Sequence, residues 1–261
     1  MRKAMLLLAV FGFVGVLWAQ GPFDGTWKID VSKTQYQGKP LTFLLQNGTY
    51  QDSSSVPKIN VKADGTDQAV QGSKIIDTVA VKVVDDTTLE FTYKKGGKVV
   101  AVTKRTVSAD GKTTTLEYTA YPEASKQPVT GKTTETRVAA GPAGSHAISG
   151  AWRTQKVLSE SENAMTVTYM STTGGLMMSR PTGSSFDAKF DGKEYPFKGN
   201  PNVSTVSLTK VNDRSFDETY KRDGKIVTVY HWTVSADGKT ITEKAENKET
   251  GRTVTYIRSK L

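Results

Sequence analysis

Thr106-Val107-Ser108-Ala109-Asp110-Gly111-Lys112 recurs letter for letter as Thr233–Lys239. Asp-Gly tolerates the positive φ of a tight turn, and each copy lies between runs rich in Thr, Val and aromatic residues, so the heptad reads as the turn of a β-hairpin used twice. Working outward, TYKKGGKVV (92–100) matches TYKRDGKIV (219–227), and VKADGTDQAVQG (61–72) matches AKFDGKEYPFKG (188–199), all at the same spacing of 127 positions. Near the starts, FDGTWK (23–28) matches ISGAWR (148–153). The chain is an internal duplication of a domain-sized unit, too long to be a solenoid repeat. The expected organisation is a leader over 1–20, a first barrel over 21–139, a Gly/Ala/Pro linker over 140–147 and a second barrel over 148–261.

Each unit reads as antiparallel β. TVAVKV (78–83), TLEFTY (88–93) and MTVTY (165–169) alternate apolar and polar residues with period two, and Asp-Gly or Gly-Gly pairs punctuate them at short intervals. Eight to ten strands per unit is the number at which an up-and-down sheet closes into a small barrel, which also removes its exposed edges. The fold class is therefore all-β, with two antiparallel meander barrels in tandem.

Arg2 and Lys3 precede an apolar run from Ala4 to Trp18, with Ala19 at a cleavage position, the pattern of a secretory signal peptide. No cysteine follows that run, which excludes a lipoprotein anchor, and the chain has no cysteine at all. Export without a disulfide framework points to a bacterial periplasmic or secreted protein stabilised by its core. The net charge of +9, of which Arg2 and Lys3 supply two, is diffuse; it argues against nucleic acid as a partner. The basic tips KKGGK (94–98) and KRDGK (221–225) fit either weak contact with an anionic envelope surface or ordinary protection of strand edges.

Gly25-Thr26-Trp27-Lys28 and Gly150-Ala151-Trp152-Arg153 open the two units. Gly-x-Trp on a first strand, followed by a β-meander, resembles the lipocalin and fatty-acid-binding superfamily, the calycins. The resemblance implies a Trp plugging one barrel end with an Arg from the last strand over it. By that analogy Arg137 partners Trp27, and Arg258 partners Trp152.

Catalytic chemistry finds no support. His146 and His231 are the only histidines, no pair of them shares an element as metal ligands, and no nucleophile elbow, P-loop or dinucleotide fingerprint is present. No cofactor, metal or catalytic residue is expected. The units differ upstream of the heptad: Val99, Ala101, Thr103, Arg105 and Val107 against Ile226, Thr228, Tyr230, Trp232 and Val234. If this parity faces the lumen, the second barrel has an aromatic wall and the first holds an inward Arg that needs an anion, such as a ligand carboxylate; with the other parity both lie outside. Candidate ligand contacts are Arg105, Met165, Tyr169, Phe197, Phe216, Tyr220, Tyr230 and Trp232, mostly in the more aromatic second unit. The expected function is a non-enzymatic binding protein for a small apolar or amphipathic molecule. The alternative is a structural module of the cell envelope with filled barrels and basic tips.

Overall fold

The computed structural model describes residues 21–261, so the leader expected over 1–20 lies outside the described residues. In chain order the strands are β1 (Gly25–Ile29), β2 (Gln35–Gly38), β3 (Leu41–Gln46), β4 (Thr49–Asp52), β5 (Ile59–Lys62), β6 (Asp64–Ala69), β7 (Thr78–Asp85), β8 (Thr88–Lys95), β9 (Lys98–Val107), β10 (Thr113–Ala120), β11 (Val129–Ala140) and β12 (Gly150–Glu160). A one-turn helix, α1 (Glu162–Met165), leads into β13 (Thr166–Thr172), β14 (Gly175–Ser179), β15 (Ser185–Lys189), β16 (Tyr195–Pro196), β17 (Thr205–Asn212), β18 (Ser215–Arg222), β19 (Lys225–Val234), β20 (Thr240–Asn247) and β21 (Arg252–Lys260).

These strands form two nearly closed antiparallel barrels, each a meander of tight hairpins. The expected all-β tandem architecture is present, but repeats and barrels are not the same segments of chain. The first barrel runs β3 to β12, with β12 pairing both β11 and β3. The second runs β13 to β21 and is completed by β1, which pairs both β13 and β21. Each repeat thus lends its opening strand to the other barrel. The expectation of one barrel per repeat is corrected by one strand at each boundary. The expected linker at 140–147 is no inter-barrel linker: it joins β11 to β12 and packs on the first barrel, where the His146 N–H donates to the Leu45 carbonyl (3.0 Å). The connections between barrels are the short turn after β2 and the α1 segment after β12.

Two cores follow from this exchange. Trp27 and Phe23 belong to the second core, with Tyr169, Phe216 and Trp232; Trp152 and Ile148 belong to the first, with Tyr50, Leu89 and Phe91. Both opening motifs use the same local device. The indole N–H of Trp27 donates to the Phe23 carbonyl (2.7 Å), and that of Trp152 to the Ile148 carbonyl (2.8 Å). Gly25 and Gly150 have φ of +119° and +132°, where an L side chain is strained, so the glycine of Gly-x-Trp is set by the backbone.

The repeated heptad is one turn built twice. The Ser108 hydroxyl donates to Asp110 (2.6 Å) and accepts from the Thr113 N–H (3.0 Å); Ser235 does the same with Asp237 (2.6 Å) and Thr240 (3.0 Å). Gly111 and Gly238 share a φ of +68°. The serine hydroxyl, with the nearby backbone N–H, holds each Asp carboxyl below its ordinary value.

Candidate functional site

Parity comes first. Matching bulges at Tyr93/Lys94 and Tyr220/Lys221 shift the strands after the basic tips. Beyond them Arg105 and Trp232 point inward, being 7% and 1% exposed. The aromatic wall and the inward Arg are both present. The anion that Arg105 needs is supplied by the chain itself: Arg105 forms a buried ion pair with Glu135, which also accepts from the Thr114 hydroxyl (2.8 Å), while the guanidinium lies 4.5 Å from the Phe43 ring. Arg105 is therefore satisfied within the first barrel and is not free for a ligand carboxylate.

The barrel-closing assignment is corrected. Arg137 covers Trp152, 3.9 Å from its ring, and donates to the carbonyls of Gly111 (2.5 Å), Ser149 (2.7 Å) and Ala147 (2.6 Å). The group over Trp27 is the Lys260 ammonium, at 5.3 Å. Strand register gives the reason: Arg137 takes its N–H bond to Lys112 as Lys260 does to Lys239, so these two occupy equivalent places. Arg258 sits two residues earlier, where the first barrel has Glu135. It pairs with buried Glu243 (2.6 Å), donates to the Met165 carbonyl (2.9 Å) and lies 5.6 Å from Trp232.

Within the second barrel, the remaining candidates fall into two groups. Tyr169, Phe216 and Trp232 pack edge-to-face and stacked on one another at one end. Met165 is buried where α1 meets β13. These fill space. Phe197, Tyr220 and Tyr230 instead line a cavity of about 220 Å³, with the rings of Phe197 and Tyr220 at 4.7 Å and those of Tyr220 and Tyr230 at 4.9 Å.

The residue missed in the sequence is Arg180. It follows β14 in a tight turn closed by its N–H to the Ser184 carbonyl (2.9 Å) and by the Gly183 N–H back to its own carbonyl (2.9 Å). The turn is wedged: a Cβ on Gly183 would stand 2.4 Å from that of Ala124 in the first barrel. Arg180 lines the cavity, and its Nε and Nη2 are shut off from solvent with no hydrogen-bond partner among the described residues. Glu218 lies deeper, fully buried. One oxygen accepts from the Tyr169 hydroxyl (3.2 Å) and the other has no partner. Burial pushes its carboxyl up to about 7, against the opposing pull of the Tyr220 and Tyr169 hydroxyls and the Arg180 charge.

Arg180 is half-buried, and leaving two of its shielded N–H groups without a partner costs free energy unless something satisfies them. The cavity places the Arg180 side chain beside aromatic walls, which suits an acceptor-bearing amphiphile. Elsewhere, both histidines have structural contacts. His146 bridges the Asp85 carbonyl (2.8 Å) and the Ile148 N–H (3.1 Å), and His231 meets Asp217 (2.7 Å) on the half-exposed outer face. Among the described residues no cluster of three or more acidic, His or Cys side chains could hold a metal ion. Much of the tips' charge is paired within the chain: Lys94 with Asp67, Lys221 with Glu194, and Arg222 with Glu249.

The chain has two nearly closed antiparallel barrels in tandem, consistent with a lipocalin-like fold. No protein family and no curated protein matches it in sequence.

Proposed function

We propose that this chain is a non-enzymatic binding protein that holds a small amphipathic molecule in its second barrel. The observation that carries this reading is Arg180, which lines a cavity walled by Phe197, Tyr220 and Tyr230 and whose Nε and Nη2 have no hydrogen-bond partner among the described residues. The aromatic walls take the apolar part of the ligand, and the guanidinium takes a carboxylate or similar acceptor. The first barrel, with Arg105 and Glu135 satisfying one another, is its scaffold. The apolar leader and the lack of cysteine support a periplasmic or secreted setting in a bacterium. Calycin kinship is part of the same proposal and rests on the two Gly-x-Trp motifs.

The test is direct. Organic extraction of the purified protein followed by mass spectrometry should release a stoichiometric small amphiphile. Titration with a fluorescent fatty acid should saturate, and Arg180→Gln should weaken it by about tenfold, the loss of one charge-assisted contact. An empty extract together with non-saturating titration would remove the reading.

A further inference from the structure

A second cavity, of about 460 Å³, lies between the barrels and is lined from both of them. Three cationic side chains from three elements border it: Lys39 just after β2, Arg153 on β12 and Arg252 at the start of β21. Among the described residues, no Asp or Glu lines it. Like charges that line one cleft repel, and an anion entering it lowers that cost.

The convergence is built into the backbone. β2 pairs with β21 so that Gly38 stands opposite Arg252. Gly38 has φ +102°, and a Cβ there would come within 2.5 Å of the Gly251 carbonyl, so the two strands meet closer than any side chain permits. Lys39 then lies against Gly251, its Cε 3.7 Å from where a Cβ would be. The Arg252 guanidinium donates to the Ser54 carbonyl (2.8 Å) and has no ion-pair partner among the described residues; Asp52 and Glu135 act on it through space. Thr250 also lines the cavity, and its hydroxyl is shielded with no hydrogen-bond partner among the described residues. Its turn is fixed by the Asn247 side chain, which accepts from the N–H groups of Glu249 (3.0 Å) and Thr250 (2.9 Å).

We infer that this cleft is a binding site for a phosphate or sulfate group, formed jointly by the two repeats. Three cations match a multiply charged tetrahedral anion better than a single carboxylate. The cleft adjoins the lumenal cavity through Thr228, Tyr230 and Asn247, which line both. The anion therefore belongs either to a free phosphate or to the head of the molecule in the barrel; the second case rests on the binding reading above.

The experiment is an NMR titration of the full chain at low ionic strength with inorganic phosphate, then with monododecyl phosphate. Inorganic phosphate should give saturable shifts at Lys39, Thr250 and Arg252, weakened about tenfold by Arg252→Gln and by the exposed Lys39→Gln, and unchanged by Arg180→Gln. Agreement of the two cleft variants guards against a folding defect in either. Shifts that never saturate, or that spread evenly over surface lysines, would overturn the inference. If monododecyl phosphate moves cleft and lumen together at one equivalent, one ligand spans both. If it moves the cleft alone, the anion source is separate, the lumenal reading fails and the cleft stands.

Discussion

At the scale of single residues, the informative positions are those where the barrels carry different charges in one layer. The first barrel has Arg105 and Glu135; the second has Trp232 and Arg258 in their places, with Glu243 added on the intervening strand. Each keeps one buried Arg–Glu pair, moved by one strand. Glu218 is the buried acid outside this scheme, and it makes a pH prediction. Its folded value of about 7 exceeds the ordinary 4.5, so the fold retains a proton that the unfolded chain has lost. Its contribution is complete below about 4.5 and is lost as pH rises through about 7. Glu218→Gln should therefore gain about 3 kcal/mol relative to the parent between pH 4.5 and 8. Urea unfolding at both pH values measures this as a difference in which other groups cancel; a constant difference would contradict it.

At this scale the sequence was legible only in part. The heptad and Gly-x-Trp could be read because turn geometry and positive φ are local demands. Arg180 could not. It stands in a Ser, Pro and Gly stretch, with Ser53 at the corresponding place in the other repeat, and its value arises from walls that are distant in the chain. Pairing Arg137 with Trp27 failed because β1 belongs to the second barrel and β12 to the first, so Arg137 meets Trp152, and register then puts Lys260 rather than Arg258 over Trp27.

At the scale of elements, the exchanged strands decide what folds alone. Residues 39–165 hold every strand of the first barrel, including β12, whereas residues 148–261 lack β1 and with it Trp27, a fully buried side chain of the second core. Losing such a Trp costs about 3–5 kcal/mol even without the missing ladder. The fragment 39–165 should unfold cooperatively and resist protease. The fragment 148–261 should do neither, until a peptide of residues 21–38 is added. Equal protease resistance of the two fragments would count against the exchange. Sequence could place the strands but not this pairing, because either Gly-x-Trp strand satisfies either barrel's pattern of alternation.

For the molecule as a whole, two short crossings and several contacts join the barrels. Lys74 meets Asp223 (3.2 Å), Arg252 reaches Ser54, and Gly183 abuts Ala124. The Leu261 N–H donates to the Thr26 carbonyl (2.9 Å), so the end of the chain lies beside β1. A circular permutant opened after Met165, with Leu261 joined to Gly21 by a short Gly-rich linker, makes each barrel continuous. It should keep the parent's stability to within about 1 kcal/mol and its fluorescent fatty-acid binding, since loop length carries only a slow entropic cost. Loss of binding in a stably folded permutant would show that the native order of crossings matters to the lumen.

The closing strand also sets an order of events. On the ribosome β1 is made well before its partners β13 and β21. The first barrel can complete itself once β12 emerges, while β1 must wait with an open edge until β13 and β21 have been made. Pairing at such separation forms slowly, and an unpaired edge invites a neighbour. Two nascent chains held close together could trade these strands, so synthesis at high density should yield interlocked dimers that slow, dilute refolding does not.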